Sequence, residues 1–264
     1  SSKSSGVIYK GLPLTSRKRY YWKVKVWDSE NVSSDYSKGS FFEMGLLNQT
    51  DWRADWIGYP ASWAGRVLYF KKSFTIIKPV QSARIYISGI GYYVLHINGK
   101  KVGNHVLDPG TTDYSKQVLY ATYDITDFLG KENAIGVSVG PGWYGVPKLR
   151  LQAEITYNDG TTEMIPTATN FDWKESDGPI IRSSIYDGES FDAREEKSDW
   201  DLPKTSVNYS RTSRWTNAVA TTSPGGKMVS QKLEPIQVVD SITPQTIIEP
   251  VKGIYVLDAG KNLA

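Results

Sequence analysis

The 264-residue chain has no cysteine, which excludes a disulfide framework and any thiolate metal site but leaves its compartment open. Its two histidines, His96 and His105, lie on either side of an Asn-Gly pair and match no zinc spacing. No apolar run is long enough to span a bilayer, and nothing at the start has the pattern of a signal peptide. An excess of one charge is missing too. The 31 basic and 28 acidic residues are interspersed and sum to +3, which argues against nucleic acid or an anionic membrane surface as a partner. There is no Gly-x-Ser-x-Gly elbow, no phosphate loop, no dinucleotide fingerprint and no repeat of fixed period. The first residue is Ser rather than Met, so the chain is expected to be a processed or excised piece.

Aromatic residues are plentiful: 9 Trp, 17 Tyr and 7 Phe. Such an excess suits a β-rich protein that handles sugars, because a ring packs on the apolar C–H face of a pyranose. It suits a β-sandwich core equally well. The organising stretch is 83–145. Tyr93, Leu95 and Ile97 alternate there with Tyr92, Val94 and His96, the period-two pattern of a half-buried strand. Asn98-Gly99 then predicts a type I′ hairpin turn. Further strands are expected over 118–123 and 134–139, with a helical turn between them that Thr126 caps and Gly130 closes. Another hairpin is expected over 149–164, turning at Asn158-Asp159-Gly160. Upstream, 14–28 alternates cleanly, with Tyr20, Trp22, Val24 and Val26 on one face and Tyr21, Lys23, Lys25 and Trp27 on the other. A closing strand follows at 40–44. These strands are too few for a self-sufficient sandwich, so the chain is expected to start inside a domain. From Trp200 to Lys227 the Ser, Thr, Pro, Gly and Asn content predicts a surface loop pinned by Trp215, with short strands at 233–236 and 238–242.

Several motifs, in order, resemble the bacterial α-L-rhamnosidases. Tyr21-Trp22-Lys23-Val24, Val26-Trp27-Asp28 and Phe42-Glu43-Met44-Gly45 are similar to the end of that family's fibronectin-type-III-like module. Gly91-Tyr92-Tyr93, Ile97-Asn98-Gly99-Lys100, Leu107-Asp108-Pro109-Gly110, Tyr123-Asp124-Ile125-Thr126 and Gly142-Trp143-Tyr144-Gly145 resemble its N-terminal jelly-roll domain. Tyr186-Asp187-Gly188-Glu189 and Asp192-Ala193-Arg194 continue the likeness, and 253–264 is similar to the first strand of a concanavalin-like module. The resemblance implies an all-β chain: a partial fibronectin-III-like sheet over 1–50, an antiparallel jelly-roll sandwich of galactose-binding type over 51–230, and the start of a third β module over 231–264. It also implies a bacterial glycoside hydrolase acting on rhamnose-containing glycans, periplasmic or secreted. Its catalytic carboxylates belong to an (α/α)₆ barrel, and no helix-period segment of that kind is present, so no catalytic residue is expected in this chain.

Glycoside hydrolysis needs two carboxyl groups, and the densest cluster is Asp187, Glu189, Asp192, Glu195 and Glu196. Residues two apart on a strand face could reach the gap of about 6.5–9.5 Å used by inverting enzymes. Arg194 among them would keep both carboxylates ionised, which favours a structural network over catalysis. Glu189 and Asp192 stay candidates for sugar contact. Trp143 and Tyr144, carried on a Gly-Pro-Gly loop, and Tyr92 are the other candidates for a sugar-facing platform. The alternative for Trp143 is a plug in the open end of the sandwich. Asp108 and Asp113 form the weak candidate for a hard cation such as calcium, against a simple role as turn-formers. Related rhamnose-binding modules are calcium-dependent, but the corresponding place here is Gly91-Tyr92, which offers no carboxylate. No other cofactor is expected. Two further readings remain open at this point, a stand-alone carbohydrate-binding module and a cell-surface array of β modules.

Overall fold

A computed structural model of the chain describes residues 6, 8–58, 65–143, 146–169, 173–203 and 215–262. The strands in chain order are β1 (Arg19–Trp22), β2 (Ser40–Glu43), β3 (Ile57–Gly58), β4 (Leu68–Thr75), β5 (Val80–Ile90) and β6 (Tyr92–Ile97). Then come β7 (Lys100–Lys101), β8 (Gln117–Asp124), β9 (Glu132–Gly140), β10 (Lys148–Tyr157), β11 (Thr162–Pro166) and β12 (Lys174–Ser176). The last are β13 (Ile180–Ser184), β14 (Gly188–Phe191), β15 (Thr216–Asn217), β16 (Lys227–Ser230), β17 (Thr246–Val251) and β18 (Ile254–Asp258).

Two six-stranded sheets form the body. One runs β11-β10-β5-β8-β16 with β3 also on β10; the other runs β15-β12-β4-β9-β6-β7. All pairs are antiparallel except β16 with β8. This is the expected all-β antiparallel sandwich. Alternation explains it: Tyr93, Leu95 and Ile97 of β6 are buried and meet Ile85 and Ile87 of β5, Val137 and Val139 of β9, and Leu149 and Leu151 of β10 in one core. Fully burying each such side chain contributes roughly 1.5–3 kcal/mol. The turn after β6 has positive φ at both Asn98 (51°) and Gly99 (80°), the geometry that Asn-Gly favours.

A second core lies on the other face of the β5–β8 sheet, where Tyr86, Val118, Tyr120 and Met228 are covered by Leu46, Trp52, Ala54 and Trp56. Residues 46–56 therefore work as a lid on the sheet. The β1–β2 hairpin is fastened beside it. Arg17 bonds Glu154 at 2.6 Å, Arg84 bonds Glu43 at 2.8 Å, and the Tyr120 hydroxyl donates to the Leu46 carbonyl at 3.0 Å while accepting from its N–H at 2.6 Å.

Three expectations need correction. The turn after β8 is a short 3₁₀ segment, Thr126–Phe128, and Asp124 caps it, accepting from Thr126 N–H at 3.0 Å. The Thr126 hydroxyl instead receives the Ala83 N–H. Part of the supposed loop between Trp200 and Lys227 is sheet: β15 pairs with β12, and the residue buried beside it is Ala218, with Trp215 only half-buried. Neither 233–236 nor 238–242 forms a strand; the 231–237 segment is tied down by an isolated bridge between His105 and Gln237, and Val239 is fully open to solvent.

Candidate functional site: an aromatic rim on the sandwich

The end of the sandwich where β5 turns into β6 is built on two glycines. Gly91 has φ +99°, and a Cβ there would sit 1.9 Å from the Gly140 carbonyl oxygen. Gly142 has φ +54°, and its Cβ would fall 3.0 Å from the Gly91 Cα. The two backbones therefore touch in a way that only glycine permits. That contact brings Tyr92 and Trp143 together: the Trp143 indole N–H donates to the Tyr92 hydroxyl at 3.2 Å, and Thr111 Oγ1 lies 3.1 Å from the same hydroxyl. Tyr186, from the β13–β14 turn, completes the cluster edge-on to Trp143 at 4.9 Å between ring centroids. Trp143 is 52% exposed and Tyr186 77%, so these rings present faces to solvent and Trp143 does not plug the core. Tyr144, the remaining platform candidate, lies outside the described residues.

The carboxylate candidates are placed differently. Asp192 starts a short 3₁₀ turn and is gripped by Arg194, whose Nη2 approaches to 2.5 Å and whose backbone N–H also donates to it. These bonds hold the Asp192 carboxyl at about 2, far below what a general acid requires. Glu189 lies exposed on β14, in the hairpin that carries Tyr186, and faces Ser183 across the ladder. Burial, reinforced by Glu189 and Glu196, pushes the Tyr69 hydroxyl up to about 12. Arg194 thus grips Asp192, while Asp187 pairs with Arg182 at 2.8 Å, so the cluster is divided between two arginines. Among the described residues the carboxyl pushed strongly upward is Glu175, and it is 1% exposed inside the sandwich, out of reach of any substrate.

Asp108 is more than a turn-former. It is 3% exposed, and its oxygens accept from the Tyr123 hydroxyl (2.8 Å) and the Gln231 amide (3.2 Å), with His105 Nδ1 at 2.7 Å. Burial pushes the Tyr93 and Tyr123 hydroxyls well up, so both stay neutral beside it. Asp113 sits in a separate exposed turn, bonded to Ser115 Oγ at 2.6 Å and paired with Lys116 at 3.1 Å. Ser115 leads the forces holding its carboxyl low. No group of three His, Asp or Glu among the described residues is placed to hold a metal ion. His96, on the face of β6 opposite Tyr93 and Leu95, packs against Asp201 (2.6 Å) and the Trp200 ring (4.8 Å).

Sequence reasoning missed Tyr186 and Thr111 at the rim, since neither is close in sequence to Trp143. The available signal was Tyr186 within the Tyr-Asp-Gly-Glu motif.

The comparisons with known proteins bear on the whole chain. Residues 78–240 match the family model for the alpha-L-rhamnosidase N-terminal domain, and residues 1–48 match that for the Rha78A-like, N-terminal immunoglobulin domain. An alpha-L-rhamnosidase of Formosa agariphila is 36% identical over all of this chain and 31% of its own length; one of Alteromonas sp. is 34% identical with the same coverage. A solved alpha-L-rhamnosidase of Dictyoglumus thermophilum is 38% identical with a TM-score of 0.87, covering 98% of this chain and 31% of that one. The chain thus spans about a third of the length of these relatives. Two stacked sheets, the glycine-built rim and the ordered motifs agree with these matches, and the chain belongs to the α-L-rhamnosidase N-terminal domain family.

Proposed function

We infer that the chain works as the non-catalytic N-terminal region of an α-L-rhamnosidase, an enzyme that releases terminal L-rhamnose from glycans. The observation that carries this is the family match over 78–240, joined to a hairpin region in which Asp187 and Asp192 are held in ion pairs with Arg182 and Arg194. In this reading the chain divides near residues 50 and 230, and its sandwich buttresses an (α/α)₆ catalytic barrel of the parent protein. The parent acts on rhamnose-containing glycans outside the bacterial cytoplasm, in the periplasm or as a secreted enzyme.

The rim adds a sugar contact. Trp143 and Tyr186 expose ring area, and the Tyr92 hydroxyl bonded to Trp143 and Thr111 fixes their placement. A pyranose laid on Trp143 would gain a stacking contact and a hydroxyl partner together. Glu189, on the same hairpin as Tyr186, is the further acceptor in this reading. Calorimetry with L-rhamnose, run with and without calcium, tests the rim. Millimolar or tighter binding, equal in both buffers and abolished by Trp143→Ala, is expected. Binding that survives this substitution would place sugar elsewhere, and binding seen only with calcium would return the cation site to Asp108 and Asp113.

A further inference from the structure

The chain as a whole carries only +3, but residues 1–50 contain eight Lys and Arg against four Asp and Glu, a surplus of four, which leaves the remainder at −1. Three of these cations, Arg19, Lys23 and Lys25, lie on one face of the front hairpin. By the two-residue period Arg19, Tyr21, Lys23, Lys25 and Trp27 share a side, opposite the apolar side of Tyr20, Trp22, Val24 and Val26. Across the ladder Phe41 stands opposite Tyr21, and the hydrogen bond from Ser37 N–H to the Val24 carbonyl (2.7 Å) holds the strand that carries Tyr36 alongside.

Cations and rings alternate along this face. The Arg19 guanidinium lies 4.3 Å from the Phe41 ring centre, and Lys23 Nζ lies 4.1 Å from that of Tyr36. Lys25 Nζ is 5.4 Å from Tyr36 and 5.9 Å from Trp27. Tyr21, Trp27, Tyr36 and Phe41 are each more than half exposed. Among the described residues Lys23 and Lys25 meet rings and no carboxylate. A cation over a ring face is attracted by the ring's quadrupole, which draws these side chains together without consuming the ammonium donors.

We propose that this face binds an anionic polysaccharide of the polyuronate type. Sugar rings stack on Tyr21, Tyr36 and Trp27 while carboxylates pair with Lys23 and Lys25; Arg19, paired with Glu43 at 3.1 Å, anchors the Phe41 end of the face. At about 3.3 Å per residue the strip from Arg19 to Trp27 is about 26 Å long, room for several sugar units in a row. The choice of a glycan over other polyanions rests on the rhamnosidase reading; the stripe itself does not. The surface is distinct from the rim, whose contacts among the described residues include no lysine or arginine.

Affinity electrophoresis of the 264-residue chain through gels containing polygalacturonate or neutral dextran tests this. Retardation by polygalacturonate alone, weakening as salt rises, is expected. The double variant Lys23→Ala/Lys25→Ala should bind about tenfold more weakly, the loss of one or two charge-assisted contacts. Tyr36→Ala, which leaves charge unchanged, should lose about fivefold for its stacking contact. Lys100→Ala/Lys101→Ala, on exposed β7, makes the same change of charge elsewhere and should bind as the unaltered chain does. Absence of retardation overturns the proposal; so does full binding by Tyr36→Ala, which would reduce the effect to charge alone. Tighter binding of single-stranded DNA than of polygalacturonate would reassign the face and overturn it as well. Rhamnose release by the parent protein is measured separately, so failure of the stripe leaves the family reading in place, and the reverse holds too.

Discussion

Glu175 places a carboxyl group between the two sheets of the sandwich, and the substitution Glu175→Gln makes its effect measurable. Glu175 lies opposite Phe70 in the β12–β4 register, and Phe70 faces the core, so the carboxyl is carried inward with it. One oxygen receives the Val219 N–H, whereas Oε2 has no partner. Burial dominates and pushes the carboxyl from the ordinary 4.5 up to about 8. Below pH 4.5 the group is neutral in both folded and unfolded chains and costs nothing through ionisation. Between there and pH 8 the unfolded chain releases the proton and the folded chain retains it, so stability falls as pH rises, and it levels off above. At about 1.4 kcal/mol per pH unit the full loss is on the order of 5 kcal/mol, an upper figure because water entry and relaxation soften it. Glutamine cannot ionise but brings an amide that needs partners, a cost of about 1–3 kcal/mol.

Urea unfolding from pH 5 to pH 9 should therefore give curves that cross. The Gln variant would be less stable at pH 5 and more stable at pH 8.5, where a gain of about 2 kcal/mol would raise the melting temperature by roughly 4–8 °C. Curves that run parallel across this range would refute the placement of an ionisable group in the core.

Tyr120→Phe removes the hydroxyl that bonds both polar groups of Leu46, leaving two buried backbone groups unpaired. The expected loss is about 1–3 kcal/mol per group, read by urea unfolding, with faster hydrogen exchange at Leu46 as the local sign. Asp108→Ala removes the buried acceptor shared by the Tyr123 hydroxyl, His105 and the Gln231 amide. A loss of about 3 kcal/mol or more in the same assay is expected, and one below about 1 kcal/mol would show that this network is solvated.

What was legible in the sequence was what local patterns dictate. The alternation in β6, the Asn-Gly turn after it and the Asn-Asp-Gly turn after β10 each depend on a few adjacent residues, so the order of the letters alone reveals them. Gly91 and Gly142 were visible as glycines, but their reason, the approach of two backbones from different strands, was not. The packing of Trp200 and Asp201 on the sheet of β4, β9 and β6 was hidden because the partners are distant in sequence: Trp200 lies on Tyr69 and His96, and Asp201 leaves no room for a side chain at Gly136. β15 was lost in a Ser/Thr-rich stretch because two residues of strand carry no periodic signal, and partners on β12 alone make them sheet. Glu175 was unremarkable as a letter, since only the Phe70 register turns it inward. The charged face of the front hairpin escaped for the opposite reason: a whole-chain charge near zero conceals a local surplus.

The central claim is that these residues frame a rhamnose-releasing enzyme without performing its chemistry. Hydrolysis of an aryl α-L-rhamnoside, measured for the 264-residue chain and for the parent protein side by side, tests it most directly. The account predicts release by the parent and none above the buffer rate by the chain alone. Release by the chain alone, lost in Glu189→Gln or Asp192→Asn, would contradict it.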